Sequence, residues 1–364
     1  MKGSAVKQLL ERELRQLNEQ RSATEPPKSV YDVIRICSPH LRPPIHLDPY
    51  VRLLDRVVHE GGVEHVVHAP PQHGKSETCK HALIYLAMMR PGLRHAYSTY
   101  NTEKGIQVGR EVAQLAKIAG LDPHLKAGHL RLAGGTEIRF GGAIAGTLTG
   151  LAIDGFHMID DPVRDRKDAV SRTIKEDRWN WFLDVAETRR HPGSSVVIMH
   201  TRWAQDDLAG RVISRKKWPY LRMPAECDSE DDPCGRKIGE PLWPAGGRDR
   251  NWLSRFKVNT FTWAAMYQGN PRPEGDCLFG DAVLYDRLPE VGGYRVGYGA
   301  DLAYTEKTRA DWSVLLKGRM YADGNLYLTD RLRRQAQADK FTALMKVRWQ
   351  QERGPIRWFG STTE

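Results

Sequence analysis

The stretch "VEHVVHAPPQHGKSETCKHALIYLAMMR", Val63 to Arg90, constrains the fold most. A short β-branched run, "HVVHA", enters a turn carrying two prolines and a glycine, and a helical apolar pattern follows from about Ser76. A strand that passes through a tight loop into a helix opens a βαβ unit, which requires a parallel partner strand and helices to cover the sheet. The same grammar recurs. "RHAYSTY" precedes a helical pattern from about Thr102 to Ala119, "HMIDD" one from about Ala169 to Thr188, and "SSVVIMHT" one near Asp206 to Ser214. The expected fold class is α/β, a mainly parallel sheet between helices. "LRLAGGTEIRFGGA" adds a hairpin turning at Gly134-Gly135.

At 364 residues the chain has room for about two domains. Residues 1–28 are polar and charged, with a short helix in "VKQLLERELRQLNEQ" as a mobile or docking arm. Residues 29–220 carry the strand–helix alternation. In 221–275, "CDSEDDPCGRKIGEPLWPAGGRDR" reads as a linker or lid, two short helical patterns follow, the second around "TFTWAAMYQG", and "NPRPEG" marks a boundary. Residues 276–364 change grammar. "YRVGYGADLAY", "DWSVLLKGRMYADGNLYLTDRL" and "PIRWFGS" read as strands, the middle pair joined at Asp323-Gly324-Asn325, with a helix from about Gln337 to Gln351 before the last.

A net charge of +10 favours a polyanionic partner such as nucleic acid, against the alternative of a merely basic enzyme. The five cysteines form no C-x-x-C pair, which argues against a disulfide framework or a zinc site and for a reducing cytoplasm. No signal-peptide pattern or membrane-length apolar run opens the chain, so a soluble, internal protein is expected.

Ala69 to Ser76 fits a phosphate-gripping loop with alanine in its first place. That chemistry needs backbone N–H groups curling around phosphates at a helix N-terminus, where the helix dipole favours negative charge. Pro70 and Pro71 cost two donors, but at the start of the loop. Pro71, Gln72, His73, Gly74, Lys75, Ser76 and Glu77 are the candidate nucleotide contacts, Lys75 reaching the β- and γ-phosphates and Ser76 ligating Mg²⁺. "GFHMIDDP" places two acids at a strand tip. Asp160 would hold Mg²⁺ through water, and Asp161 would orient or deprotonate an attacking water; an Asp-Asp-Pro turn is the plain alternative. "VVIMHTRW" ends in Thr201 and Arg202, where a hydroxyl can sense a γ-phosphate, against a plain strand terminus. Asp301, Asp311 and Glu364 stand at strand ends, where carboxylates can converge on two divalent metals; each alone reads equally as a solvated surface residue. Arg331, Arg333 and Arg334 offer a sequence-independent grip on phosphates, or a solvated hairpin end.

With these elements in order the chain resembles the large terminase subunits of tailed bacteriophages. The resemblance runs from about Pro43 onward through "HLDPYVRLLDRV", "APPQHGKSE", "AYSTYNTEKGIQVGREV", "GTLTGLAIDGFHMIDDPVRDRKDA", "VVIMHTRWAQDDLAGRV", "MYQGNPRPEGDCLF" and "GYGADLAY". It implies an N-terminal P-loop ATPase of the additional-strand, catalytic-acid class followed by an RNase H-like nuclease domain. The implied activity is ATP-driven translocation of double-stranded DNA through a portal into a procapsid, with endonuclease cutting of concatemeric DNA. Implied partners are the portal protein and procapsid, the small terminase subunit, and further copies in a ring; implied cofactors are ATP and Mg²⁺, with Mg²⁺ or Mn²⁺ at the nuclease site. By position, Lys75 and Ser76 bind phosphates and Mg²⁺, Asp160 belongs to the acid motif, and Thr201 to the coupling motif. Asp301, Asp311 and Glu364 match nuclease metal-site acids, and His46 falls at the adenine-contacting element.

Three departures stand out. Gln72 replaces an arginine that can reach the γ-phosphate, which leaves Arg110 as a candidate arginine finger acting from a neighbouring subunit. Asp161 replaces the usual glutamate, one methylene shorter. The family's nuclease continues to a further strand and a third acid, whereas this chain stops at Glu364, so weak or absent cleavage is expected. Two other functions remain open: a helicase- or recombination-type ATPase, which would separate strands without a portal, and a DNA-binding assembly protein that binds ATP without turnover.

Overall fold

The computed structural model describes residues 26–144, 146, 148, 150–272, 285–290, 293–302, 312–322, 324–336 and 338–351, and the backbone of 356–360. The proposed N-terminal helix, Asp311, Asp323 and Glu364 lie outside the described residues. The chain forms two compact units, Met1–Gly275 and Asp276–Glu364.

The first unit is built on an eight-stranded sheet: β1 (Glu64–His68), β2 (Arg94–Thr99), β3 (His124–Lys126), β4 (His129–Arg131), β5 (Glu137–Gly142), β6 (Phe156–Asp160), β7 (Ser195–Met199) and β8 (Tyr220–Arg222). Their order is β3-β4-β5-β2-β6-β7-β1-β8. β5 through β8 run parallel, and β4 and β3 extend one edge antiparallel through the hairpin expected at Gly134-Gly135.

Both faces of this sheet are covered, and the strand sequences show it. Val67, Tyr97, Met158, Val197 and Met199 enter one apolar cluster with the helices Val30–Cys37, Asp48–His59, Lys75–Met89 and Thr102–Ile118. Their strand neighbours Val66, Ala96, Ile159, Val196 and Ile198 enter a second cluster with Trp179, Trp181, Phe182, Leu208 and Trp218. Alternate side chains point to opposite faces, so only a two-sided sheet buries a continuous apolar run.

The helices begin where their sequences cap them. Asn101 accepts from Lys104 N at 2.8 Å and opens Thr102–Ile118. The helix expected from Ala169 to Thr188 is instead two, Arg166–Val170 and Arg172–Trp181, followed by wider turns through Ala186. The break falls at Ser171, whose backbone is extended and whose hydroxyl caps the second helix at Ile174 N. The helix expected near Asp206–Ser214 starts at Leu208, because Asp207 is its cap and accepts from Gly210 N at 2.8 Å.

The second unit contains β9 (Tyr294–Asp301), β10 (Ser313–Tyr321), β11 (Leu326–Arg334) and β12 (Ile356–Gly360) in the order β11-β10-β9-β12. β9, β10 and β11 form an antiparallel meander; β12 lies parallel to β9 after the helix Ala338–Gln350. Tyr298, Leu315 and Phe341 form its small core.

Candidate active site

β1 leaves the sheet at His68, and the next residues curl back into the helix Lys75–Met89. The curl uses two left-handed residues, Gln72 (φ 62°) and Gly74 (φ 84°). Glycine takes this conformation freely, whereas Gln72 adopts it at a cost the surrounding loop must sustain. Gly74 is also the N-cap, so the first N–H groups of the helix point back into the loop with the positive end of its dipole.

Three side chains meet there. The buried Lys75 ammonium lies 3.1 Å from Asp161 Oδ2 and donates to the Thr201 hydroxyl. Thr201 in turn donates to Asp161 twice, from its N–H to Oδ1 at 2.5 Å and from its hydroxyl to Oδ2 at 3.1 Å. The residues come from the exits of β1, β6 and β7, and β7 lies between the other two. Asp161 itself has a left-handed backbone (φ 44°), with its N–H donating to Met199 O at 2.9 Å. Such an outlier in a non-glycine residue is held by its surroundings.

The two adjacent acids have opposite electrostatics. Burial raises the Asp160 carboxyl, the charge of Asp161 adds to this, and Lys75, Tyr97 and Ser76 offset only part of it. For Asp161, burial also pushes up, but Lys75, His200 and the Thr201 N–H outweigh it and hold the group well below the usual carboxylate range. The Tyr97 hydroxyl donates to Asp160 Oδ2. Asp160 Oδ1 is buried without a hydrogen-bond partner among the described residues. An orphaned carboxylate oxygen beside the Ser76 hydroxyl at a helix N-terminus is a donor set that fits Mg²⁺, which takes one or two protein oxygens and completes its shell with phosphate and water. Among the described residues no group of three or more His, Cys, Asp or Glu gathers as a metal cluster.

Beside the loop lies a cleft of about 430 Å³ lined by Ile34, Leu41, His46, His73, Thr78 and Trp243 among others. His46 Nε2 lies 2.9 Å from His73 O, and its ring stacks on Trp243 with centroids 4.1 Å apart and planes within 6°. Burial pushes both His46 and His73 down to about 4, so at neutral pH His46 donates this bond as a neutral imidazole.

The remaining expected residues are placed as follows. Glu77 pairs with Lys80 at 2.5 Å and lines the cleft beside the loop. Gln72 is exposed. Arg110 is exposed on the helix Thr102–Ile118 and is not part of the Lys75–Asp161–Thr201 group. Asp301 is exposed at the end of β9, opposite Val314, so of the three proposed nuclease acids only this one is described. Arg331, Arg333 and Arg334 are exposed on β11, Arg333 lying over the Trp312 ring at 4.2 Å.

Sequence reasoning missed Tyr97, Trp243 and the pair His200–Asp207. His200 stood in plain view one residue before Thr201, a polar residue closing an apolar strand. Trp243 is hidden in a segment whose composition reads only as linker.

No family model matches the chain, and no curated protein matches it in sequence. Solved structures do match in shape. The large terminase of a thermophilic bacteriophage is 11% identical, covering 86% of this chain and 76% of that one at a TM-score of 0.42; the same terminase in complex with ATP-γ-S gives 11%, 86%, 76% and 0.41. The large terminase ATPase domain of Thermus phage P74-26 is 15% identical, covering 61% of this chain and 97% of that one at 0.39. Likenesses this distant decide nothing about the chemistry of this chain, which stands on its own residues.

Proposed function

We propose that the chain is a DNA-translocating ATPase of the large-terminase kind. The observation that carries this is the meeting of Lys75, Asp161 and Thr201 at the exits of three adjacent parallel strands, around a loop that opens a helix. A module that only bound a nucleotide would need the loop and its lysine. It would not need a carboxylate held ionised within reach of the same lysine.

In this reading the loop amides and Lys75 hold the phosphates, and the base lies in the cleft beside His46 and Trp243. Mg²⁺ bound at Asp160 and Ser76 would supply charge neutralisation at the β- and γ-phosphates. Asp161 orients the attacking water and accepts its proton, and Thr201 reports loss of the γ-phosphate along β7. Arg110, exposed on its helix, is proposed as a finger toward a neighbouring copy in a ring. The basic balance of the chain supports double-stranded DNA as the polyanion moved. The portal protein, procapsid and small terminase subunit are the proposed partners, and the host cytoplasm the proposed site. Among the described residues no helix is long and apolar enough to cross a membrane.

For the second unit, an antiparallel meander with a fourth strand parallel to the first supports an RNase H-like nuclease fold, with Asp301 as one metal-binding acid.

The test is steady-state phosphate release from ATP with Mg²⁺ and double-stranded DNA, with and without portal-bearing procapsids. DNA uptake into procapsids that requires hydrolysis upholds the proposal. ATP binding without turnover under every condition sinks it, and strand separation without any procapsid dependence replaces it with a helicase.

A further inference from the structure

We propose that His200 is the positioning residue that takes hold of Asp161 when Lys75 leaves it for a phosphate. This rests on the ATPase reading above and deepens it at the same site.

Lys75 has two calls on one ammonium. Here it lies 3.1 Å from Asp161 Oδ2, yet its place at the start of the loop helix suits it to a bound phosphate. When it turns to that phosphate, Asp161 loses its only cationic contact at Oδ2 among the described residues, and the Thr201 contacts alone must aim the carboxylate. One further side chain is in reach. The fully buried His200 ring has Nδ1 3.6 Å from Asp161 Oδ1 and Nε2 3.7 Å from Asp207 Oδ2. Neither ring nitrogen makes a hydrogen bond among the described residues. A buried polar group left unpaired is costly, so a half-ångström closure that pairs it is favourable. Contacts of this kind tighten when the reacting complex forms.

The closure must come from Asp161, because the other side is fixed. Asp207 is anchored by Arg202 Nε at 3.0 and 2.9 Å, by Gly210 N at 2.8 Å and by Trp203 N at 3.2 Å. The His200 backbone is clamped as well, its N–H donating to Val67 O at 3.0 Å and its carbonyl accepting from His68 Nδ1 at 3.3 Å. An imidazole on a clamped backbone, with Nε2 facing a fixed carboxylate at 3.7 Å and Nδ1 facing one that Lys75 can release, is suited to set where the released carboxylate comes to rest.

The test compares His200→Asn with His200→Gln in the full chain. Asparagine places its amide nitrogen near the Nδ1 position and keeps a donor for Asp161. Glutamine places its amide nitrogen near the Nε2 position and keeps a donor toward Asp207 only. Binding of a fluorescent ATP analogue and phosphate release are measured on each. The expected result is unchanged nucleotide affinity in both, most of kcat retained in His200→Asn, and kcat lower by about 10–100-fold in His200→Gln, the loss usual for an outer-shell partner. Equal kcat in the two variants, or a joint loss of nucleotide affinity, would reduce His200 to a space-filling role and overturn the proposal while the ATPase stands. A wild-type chain that binds the analogue but never releases phosphate overturns both.

Discussion

The Lys75 ammonium and the Asp161 carboxylate lie 3.1 Å apart, and the Thr201 hydroxyl touches both. Lysine stabilises the ionised acid, which is the form able to accept a proton from water. In the proposed function the same contact ties up the group that would reach a phosphate. Nucleotide arrival would then trade one ion pair for another and free the acid only when the loop is filled.

Asp161→Asn separates these roles. It keeps the shape of the side chain and removes its charge, which releases Lys75. Turnover should fall on the order of 10²–10⁴-fold, the usual worth of a positioned general base, with ATP binding retained or tightened. Lys75→Ala should lose binding and turnover together. Equilibrium binding alongside phosphate release checks both, and undiminished turnover in Asp161→Asn would move the base to another residue.

The sheet was legible from the sequence because its strands must be apolar on both faces and its loops are punctuated by Gly, Pro and Asp. The loop, Asp160-Asp161 and Thr201 were legible because each stands directly at a strand exit. What could not be read was side-chain reach across the sheet. Tyr97 lies mid-pattern in "RHAYSTY" and gives no sign that its hydroxyl meets Asp160 from β2. Trp243 contacts His46 across about two hundred residues of chain, a pairing that local pattern cannot carry. Ser171 interrupts a helix that periodicity extended through it, its backbone extended and its hydroxyl accepting from Ile174 N, a side-chain contact that apolar periodicity does not register.

Trp243→Ala tests the base site. If the base lies in the cleft, loss of the stacked ring should remove about 0.5–1.5 kcal/mol of binding. KM for ATP would then rise about 2–10-fold with kcat little changed. An unaltered KM would place the base elsewhere.

Gly105→Ala tests how the helix Thr102–Ile118 sits on the sheet. A Cβ at Gly105 would fall 2.6 Å from Gly141 N and 2.7 Å from Gly141 Cα, backbone atoms of β5 that cannot swing away. Alanine favours helix, but overpacking here costs about 1–3 kcal/mol and outweighs it. A Tm lower by several degrees is expected in thermal unfolding. A Tm equal to or above wild type would mean that the helix can lift from β5 at little cost.

Buried histidines give the fold an acid limit. Burial pushes His95 down to about 4, with Asp154 opposing and Arg90 assisting. It pushes His157 down to about 3, with Arg190 assisting, and His68 down to about 3, with Lys75 assisting. All three sit below the ordinary 6.5, so from pH 6.5 down to about 4 the unfolded chain binds protons that the folded chain refuses. Stability is then fully present above pH 6.5 and is lost as pH falls through that window, at about 1.4 kcal/mol per pH unit for each proton. Asp154 and Asp207, held low in the fold against the effect of burial by Arg94 and Arg202 respectively, act in the same direction only further down, below the ordinary carboxylate range. Urea midpoints should therefore decline from pH 6.5 to 4.5, before the depressed carboxylates contribute and with the raised Asp160 and Asp55 carboxyls opposing part of the fall. His157→Gln, which keeps an acceptor for the Ser98 hydroxyl now 2.9 Å from Nε2, should shallow that decline by about one proton's worth. An unchanged slope would show that His157 takes up its proton in the folded state, against the desolvation its burial imposes.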